Sequence, residues 1–258
     1  MAMNKPLSIA VLLGAAVLAS CNKNTAQDIT GPIATARVKF FNFGVNAPAV
    51  NFYANTAKMT AISSTTGVES TNGVAYGGVG SGGFYSDVAP GSYELAGKIA
   101  AATDKDLAIA KVTATIADGM SYSFYMSGFY NTTAKSVEAF VVVDDYPAAF
   151  DYTVAYVRFV NAISNANPMV LYAKNTTSLT EVPVGAAVAY KSAGAFVSVP
   201  PGVYDFSTRY SGVTTNAISR TAVSLTAGRT YTVSARGDIT ITSTTATNRP
   251  FLDNTANR

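Results

Sequence analysis

Alternation of apolar and polar residues is the clearest pattern along this chain. In residues 121–126 large apolar side chains fall on every second position, and residues 230–235 repeat the pattern. Because successive side chains of a strand point to opposite faces, this period of two predicts strands with one buried and one solvent-exposed face. The residues expected on the exposed faces are Ser121, Ser123 and Tyr125 in the first segment and Thr230, Thr232 and Ser234 in the second.

Turn signals separate such segments throughout the chain. Pro90-Gly91 and Pro201-Gly202 suit tight turns, since proline fixes its own φ and glycine accepts a positive φ. After residue 20, only residues 98–110 are ambiguous between strand and helix. About seven to eight short strands are expected in each half, which predicts an all-β chain of sandwich or barrel type.

The second half of the chain repeats the first half. Residues 36–42 align with residues 155–161 at an offset of 119, which falls to 109 further along. The offset changes in Gly/Ser/Thr-rich stretches, where loops tolerate changes of length. We therefore expect two tandem domains, residues 36–146 and 155–258, held at a restrained angle by a short aromatic linker at residues 147–154.

A tyrosine follows a glycine turn at the same place in both repeats. The two segments are Ile116-x-x-Gly119-x-x-Tyr122 and Leu225-x-x-Gly228-x-x-Tyr231. They resemble the tyrosine corner of immunoglobulin-like and fibronectin-like sandwiches, in which the phenol hydrogen-bonds to backbone a few residues upstream. The alternative is a simple core tyrosine. Since both repeats have the feature, we expect two tandem immunoglobulin-like or fibronectin-like β-sandwiches.

The N-terminus has the features of a bacterial lipoprotein signal peptide. Lys5 precedes an uncharged apolar run at residues 7–20, which is shorter than the roughly 20 residues needed to span a bilayer. The run ends in Leu18-Ala19-Ser20-Cys21 and resembles a lipobox, in which small residues precede a lipidated cysteine. The resemblance implies that residues 1–20 are removed by cleavage between Ser20 and Cys21 and that Cys21 is lipidated. A chance cysteine after an ordinary signal peptide is the alternative.

The segment at residues 21–35 is polar and aperiodic. It is expected to be a lipidated, flexible tether. Asn22 follows the cysteine, and by resemblance to lipoprotein sorting in Gram-negative bacteria this residue favours the outer membrane. The expected location is therefore the bacterial cell envelope, with the protein anchored in the outer membrane and facing the periplasm or the surface.

Composition removes several classes of protein. The chain has no histidine, one cysteine, 13% charged residues and a formal net charge of +3. A histidine general base or a metal site of His or Cys ligands cannot be built from these residues. The basic excess is also too small for the dense positive patch of a nucleic-acid binder. We expect no metal, no cofactor and no nucleic-acid partner.

Two motifs that carry chemistry elsewhere occur without their usual context. Residues 78–83 match G-x-G-x-x-G, but a strand is expected to follow them instead of a helix, so no nucleotide partner is predicted. The carboxylate pairs Asp104-x-Asp106 and Asp144-Asp145 could serve calcium binding or glycoside hydrolysis, yet neither has EF-hand spacing. Asp144-Asp145 falls at a strand end, with Asp253-Asn254 as its expected counterpart, which favours a strand-terminating turn.

Three aromatic residues lie outside the predicted core. Tyr125 falls on an outward face, and Phe129 and Tyr130 fall in the expected turn after it. An exposed aromatic cluster would mark a contact with a protein or a glycan. Packing against the neighbouring domain would bury the cluster instead, and both alternatives stay open.

Four short motifs together resemble the bacterial domain-of-unknown-function 4397 family. In the first repeat they are Asn46-Ala47-Pro48-Ala49-Val50, Val74-Ala75-Tyr76, Pro90-Gly91-Ser92-Tyr93 and Asp118-Gly119-Met120-Ser121-Tyr122. The second repeat is looser at the first motif, at residues 165–170, and cleaner at the last, at residues 227–231. The resemblance implies an exported protein or cell-envelope lipoprotein, and it implies no reaction and no catalytic residues.

These observations predict a lipid-anchored, non-enzymatic envelope protein with a binding or structural role. Its expected partners are the membrane, through the N-terminal lipid, and an envelope protein or a glycan. The alternative is an assembly or adhesion subunit that self-associates through exposed strand edges. A hydrolase that acts on an envelope or extracellular polymer is a third hypothesis.

Overall fold

The computed structural model describes residues 35–60 and 72–257, and these belong to one compact unit. Apart from a single helical turn at Gly80–Gly83, every regular element in the described residues is a β-strand. The strands form two sets of nine in the same order. The first set comprises β1 (Ala36–Asn42), β2 (Val50–Ala54), β3 (Ala57–Lys58), β4 (Gly78–Val79), β5 (Ser86–Val88), β6 (Gly91–Ile99), β7 (Ala108–Ile116), β8 (Ser121–Asn131) and β9 (Ser136–Val143).

The second set follows after the linker and completes the all-β chain. None of the described segments forms a helix with the length and apolar content to cross a bilayer. The predicted signal peptide and most of the tether lie outside the described residues. The second set comprises β10 (Ala155–Asn161), β11 (Met169–Asn175), β12 (Glu181–Val188), β13 (Ser192–Ala193), β14 (Val197–Val199), β15 (Gly202–Tyr210), β16 (Ile218–Leu225), β17 (Thr230–Arg236) and β18 (Phe251–Ala256).

Each set of nine strands forms two sheets with the same topology. The inner sheets have the strand orders β4-β1-β8-β9, with β5 also paired to β1, and β13-β10-β17-β18, with β14 also paired to β10. The outer sheets have the orders β3-β2-β6-β7 and β12-β11-β15-β16. In both inner sheets the first strand pairs in parallel with the eighth strand of its set, β1 with β8 and β10 with β17. The chain is therefore two β-sandwiches of one topology, as the sequence repeat predicted.

The four sheets stack in the order outer, inner, inner, outer. One apolar core lies between the sheets of the first sandwich, with Phe40, Phe52 and Phe124 at its centre. A second core of the same kind fills the second sandwich around Phe159 and Phe206. A third, smaller core lies between the two inner sheets, so the repeats are joined through their sheet faces.

The second face of each inner sheet is buried, and here the sequence-based expectation was wrong. The face predicted to meet solvent packs against the other repeat, so both faces of β1, β8, β10 and β17 are covered over most of their length. Small hydroxyl side chains suit this position, because they fit between closely packed sheets and hydrogen-bond within them. The buried residues concerned are Ser121, Ser123, Tyr125, Thr230, Thr232 and Ser234.

The tyrosine contacts predicted for the corners are present in both repeats. The backbone N–H of Ala117 donates to the Tyr122 hydroxyl at 3.0 Å, and the N–H of Thr226 donates to the Tyr231 hydroxyl at 3.0 Å. Gly119, between the first pair, has a φ of 70°, a left-handed conformation that glycine adopts without strain. Each phenol therefore fixes the chain reversal before β8 or β17.

Candidate functional site

The strongest grouping of charged residues lies at the junction, which we define as the contact between the two inner sheets. The junction has approximate two-fold symmetry, because equivalent residues of the repeats make reciprocal contacts. Lys39 and Arg158 occupy the same position in β1 and β10, opposite Ser123 and Thr232 respectively. Each reaches the last strand of the other repeat. A contact of this isologous kind is typical of two-fold dimers, and here one chain supplies both halves.

The Arg158 clamp is the first of these contacts. Arg158 donates to the Val143 carbonyl at 2.9 Å and to the Thr232 hydroxyl at 3.0 Å, and its guanidinium also pairs with the Asp144 carboxylate. Asp144 accepts a further hydrogen bond from the Ser123 hydroxyl at 2.8 Å. The Phe196 ring covers the guanidinium at 4.8 Å. Both charged side chains are almost fully buried, so the clamp is a sealed ion pair.

The Lys39 clamp is its counterpart, with different chemistry. Lys39 donates to the Ala256 carbonyl at 3.0 Å and to the Asn257 side-chain oxygen at 3.2 Å. The Tyr85 ring lies 4.4 Å from the ammonium, where Phe196 lies in the other clamp. Asn257 therefore occupies the place of Asp144. Among the described residues, no carboxylate lies within ion-pair distance of Lys39, although Lys39 is only 1% exposed.

The two clamps differ accordingly in their electrostatics. Burial lowers the pKa of Lys39 to about 8, against a smaller opposing effect of Asp144. Burial is the largest single effect on the pKa of Arg158 and acts to lower it, but the Asp144 carboxylate together with Tyr125 and Tyr85 raises that pKa above its ordinary value. Asp144 neutralises one of the two cations, so the junction keeps one uncompensated positive charge. That charge lies at Lys39.

Two tyrosines adjoin both clamps. The Tyr85 hydroxyl donates to Asp144 and lies 2.5 Å from the Tyr146 hydroxyl. The Tyr146 ring packs against Phe196, with 5.2 Å between ring centroids. Burial, followed by the Asp144 charge, raises the pKa of both Tyr85 and Tyr146 well above the ordinary value. Both phenols therefore stay protonated and act as hydrogen-bond donors at neutral pH.

The middle of the junction is apolar, and Tyr125 lies at its centre. Its ring stacks between Phe41 at 4.4 Å and Phe140 at 5.1 Å. Its hydroxyl approaches the Ser234 hydroxyl of the other repeat at 3.4 Å. The expectation that Tyr125 belongs to an exposed aromatic contact was wrong, since the residue is 0% exposed. The alternative of packing against the neighbouring domain is the one observed.

Equivalent tyrosines at the far end of the junction cross between the repeats. The Tyr190 hydroxyl lies 2.9 Å from the Ser127 hydroxyl of the first repeat. Tyr76 in turn lies beneath the Arg236 guanidinium of the second repeat, at 5.0 Å. Arg236 is also paired with Asp253 at 2.5 Å. The repeated Val-Ala-Tyr motif therefore supplies one cross-repeat contact in each direction.

Two cavities flank Tyr85 at the clamp end of the junction. A cavity of about 540 Å³ is lined by Arg37, Tyr146 and the carboxylates of Asp144 and Asp145. Another of about 510 Å³ is lined by Lys39, Arg229, Asn254, Asn257 and the exposed ring of Phe84. The first cavity therefore has mixed charge, whereas the two charged residues that line the second, Lys39 and Arg229, are both cationic.

The remaining aromatic candidates do not form a shared patch with Tyr125. Phe129 is 44% exposed, while Tyr130 is half-buried and packs against the first core. Both lie within β8, which continues to residue 131, and not in a turn after it. Phe129 alone is left as a large exposed aromatic of the three.

The carboxylate pairs are also placed differently from the expectation. Asp144 is buried in the Arg158 clamp, and its counterpart is Asn257, because Val143 and Ala256 pair with the equivalent Tyr122 and Tyr231. Asp253-Asn254 lies earlier in β18 and is therefore not equivalent. In the other pair, Asp104 binds Lys135 at 2.6 Å on the surface. Within residues 35–60 and 72–257, no group of three or more carboxylate or cysteine side chains is arranged to hold a metal ion.

The glycine-rich motif at residues 78–83 contains the single helical turn at Gly80–Gly83 and is followed by strand β5, not by a helix. Gly80 is buried, and a Cβ atom at this position would lie 3.4 Å from both Phe40 and Phe52. These are ordinary contact distances, so Gly80 lies against the first core, and the core leaves room for a Cβ atom there.

The sequence did not predict the two clamps. The signal that could have revealed them is a cation at the same position of β1 and β10, Lys39 in the first and Arg158 in the second.

The fold and the junction define a class of protein: a chain of two fused β-sandwiches with one topology. Residues 155–258 match the family described as "Domain of unknown function (DUF4397)". The second repeat is therefore similar to this family, as its motifs indicated, and the first repeat has the same strand order. No curated protein matches the chain.

Proposed function

We propose that this protein is a lipid-anchored, non-enzymatic component of the bacterial cell envelope, in which two fused sandwiches serve a binding role. The observation that carries the proposal is the pair of reciprocal clamps. They join the inner sheets into one body, and their cavities open beside the junction. A rigid body with clefts between its domains is a usual setting for ligand binding.

Four ionisable groups of the junction, which do not include Lys39, are better suited to a binding role than to a catalytic one. Asp144 and Arg158 neutralise each other and are hydrogen-bonded on several sides. Tyr85 and Tyr146 hold their protons tightly, because burial raises the pKa of both. A general acid or base works best with a pKa near the ambient pH, so these groups are suited to holding the fold together and orienting a ligand.

The anchor is inferred from the N-terminal sequence. Residues 21–35 precede β1, and a chain of that length reaches at most about 50 Å from a membrane surface when fully extended. Three acyl chains on Cys21 would hold the protein stably, since two lipid signals suffice for stable anchoring. Asn22 supports the outer membrane as the final location.

Metabolic labelling tests the anchor. Cells that express the full chain are grown with a radioactive fatty acid, beside cells that express Cys21→Ser. We expect label in the wild-type protein and none in the variant. An unlabelled wild-type protein would contradict the anchor. A separate experiment, protease digestion of intact cells, distinguishes a protein displayed on the surface from one that faces the periplasm.

Self-association through strand edges has less support from the structure. The edge strand β12 contains Pro183, which lacks a backbone donor, and its pairing with β11 shifts near Gly185, which has a φ of 76°. A proline and a bulge on an edge both hinder pairing with another chain. Sedimentation of the protein at high concentration tests this alternative, which requires oligomers that grow with concentration.

A further inference from the structure

We propose that the cavity beside Lys39 binds an acidic monosaccharide unit, with its carboxylate directed at the Lys39 ammonium. The proposal names a ligand class for the binding role proposed above and rests on it. Three observations support it: Lys39 is a buried cation, the two clamps differ in that only Arg158 has a carboxylate partner, and the cavity wall contains residues that suit a sugar.

The buried cation is the first argument. An isolated charge away from water is costly unless it is paired, and Arg158 meets this requirement through Asp144. Lys39 has the equivalent position and burial, but its equivalent partner is the neutral Asn257. An ammonium has three N–H donors, and the structure gives two of them acceptors in Ala256 and Asn257. A ligand carboxylate would supply the missing opposite charge.

The position of the cavity is the second argument. Lys39 is one of the residues that line this cavity of about 510 Å³, so a ligand in the cavity would lie next to the buried side chain. Arg229 lines the same cavity and is exposed. Its counterpart in the first repeat is the uncharged Met120, which lines the other cavity. The second cation therefore distinguishes this side of the junction from the opposite side.

The remaining wall favours a sugar over a bare ion. The Phe84 ring is 76% exposed at the cavity, and the Tyr85 ring adjoins it. Flat aromatic faces present apolar surface against which the C–H face of a pyranose can pack. Asn254 and Asn257 add amides that can bond to hydroxyl groups, and the side-chain oxygen of Asn254 is buried without a hydrogen-bond partner. A ligand hydroxyl that moved the neighbouring side chains aside could reach the Asn254 oxygen and donate a hydrogen bond to it.

The neighbouring cavity is a poorer candidate for the same ligand. Its cation, Arg37, shares the wall with Asp145 and with the clamp carboxylate Asp144. Two carboxylates would repel an acidic sugar. The distinction between the cavities is therefore one of charge, since their volumes of about 540 and 510 Å³ are similar.

Calorimetric titration of the full chain, purified in detergent, tests the proposal. The probes are glucuronate, glucose as its neutral analogue and inorganic phosphate as a bare anion. We expect saturable binding of one glucuronate, at least tenfold weaker binding of phosphate and no measurable binding of glucose. Absence of glucuronate binding would overturn the proposal, and phosphate binding as tight as that of glucuronate would overturn the saccharide class.

Variants locate the site. Lys39→Met should weaken glucuronate binding at least tenfold, and Arg229→Gln should weaken it severalfold. Lys111→Met is the matched control, because Lys111 is an exposed lysine paired with Glu94 on an outer sheet, and it should bind as the wild type does. Unchanged binding in the first two variants would contradict the location.

Circular dichroism of each variant shows whether it is folded. Should Lys39→Met fail to fold, Arg229→Gln decides the location alone, since Arg229 is exposed. The proposed function fails separately from this site. Loss of fatty-acid labelling would contradict the anchor and leave glucuronate binding unaffected, whereas absent glucuronate binding would leave the labelling unaffected.

Discussion

The Arg158 and Lys39 clamps occupy equivalent places in a duplicated fold, yet they solve the burial of a cation differently. Arg158 meets a carboxylate, a carbonyl and a hydroxyl, and it is sealed beneath Phe196. Lys39 meets a carbonyl and an amide, and it lines a cavity. The repeats differ at both positions of the clamp: Lys39 replaces Arg158, and Asn257 replaces Asp144. These differences distinguish a structural contact from a candidate binding site.

The difference indicates that the stability of the fold depends more on the Arg158 clamp than on the Lys39 clamp. Loss of its only carboxylate leaves the charge of a buried arginine uncompensated, whereas a buried lysine that has no carboxylate already carries this cost in the folded state. The burial-lowered pKa of Lys39, about 8, is the sign of that cost.

Asp144→Asn should have the largest effect of the changes considered. It leaves the Arg158 guanidinium buried without a carboxylate, and removal of one partner of a buried pair typically costs about 3–5 kcal/mol of unfolding free energy. Denaturant unfolding of the variant and the wild type measures the loss. Asp145→Asn, at the exposed next position, is the control and should change stability by less than about 0.5 kcal/mol. Equal effects of the two changes would show that Asp144 does not stabilise the junction.

The pH dependence of stability should reveal the Lys39 clamp. Its pKa is about 8 in the folded protein and near 10.5 in the unfolded chain, so the unfolded state binds more protons between these values. The free energy of unfolding therefore rises with pH, by about 2 kcal/mol between pH 7.5 and 9.5. The buried phenols oppose this rise towards pH 9.5, because burial raises their pKa and tyrosines of the unfolded chain begin to ionise first.

Lys39→Met removes the titrating group and supplies the control for this rise. Unfolding experiments on both proteins across the window should show a rise in the free energy of unfolding with pH in the wild type and no rise in the variant. The same slope in both would mean that another group titrates. The charged and titratable groups next to Lys39 are Asp144, Arg158 and Tyr85.

Tyr122→Phe and Tyr231→Phe should each cost about 1 kcal/mol of unfolding free energy. Each change removes the hydroxyl that accepts a backbone N–H at a chain reversal. Because the corners are equivalent and well separated, the double variant should lose the sum of the two effects. A cost confined to one repeat would show that the corners do not play equal roles.

Tyr125→Phe should have the smallest effect, about 0.5 kcal/mol or less. The tyrosine ring is held by stacking on Phe41 and Phe140, and its hydroxyl makes a long contact of 3.4 Å with Ser234. In thermal unfolding, this variant should have nearly the same midpoint temperature as the wild type. A loss as large as that at the corners would mean that the hydroxyl contact contributes more than its length indicates.

The sequence predicted what depends on local pattern. The strands, the duplication and the tyrosine contacts all follow from spacing within one repeat, and Tyr122 and Tyr231 lie as expected. The sequence did not predict the burial of Ser123 and Thr232, because a hydroxyl on an alternating strand suits solvent and a tight sheet-to-sheet contact equally well.

The equivalence of Asp144 and Asn257 was missed for a physical reason as well. The connection between β17 and β18 runs from residue 237 to residue 250, whereas residues 132–135 join β8 to β9. The repeat offset therefore changes after the last motif that could be aligned, and sequence alone placed Asp253-Asn254 opposite Asp144-Asp145. Only the pairing of the last strands reveals the correct counterpart.

The most direct test of the difference between the clamps is the unfolding free energy of Asn257→Asp at pH 7. The change gives Lys39 the carboxylate that Arg158 already has, and the Thr232 hydroxyl can donate to it as Ser123 donates to Asp144. We predict a gain in stability, opposite in sign to the loss in Asp144→Asn, together with loss of glucuronate binding. A loss of stability in both variants would contradict the account, because Lys39 would then not be an uncompensated buried cation.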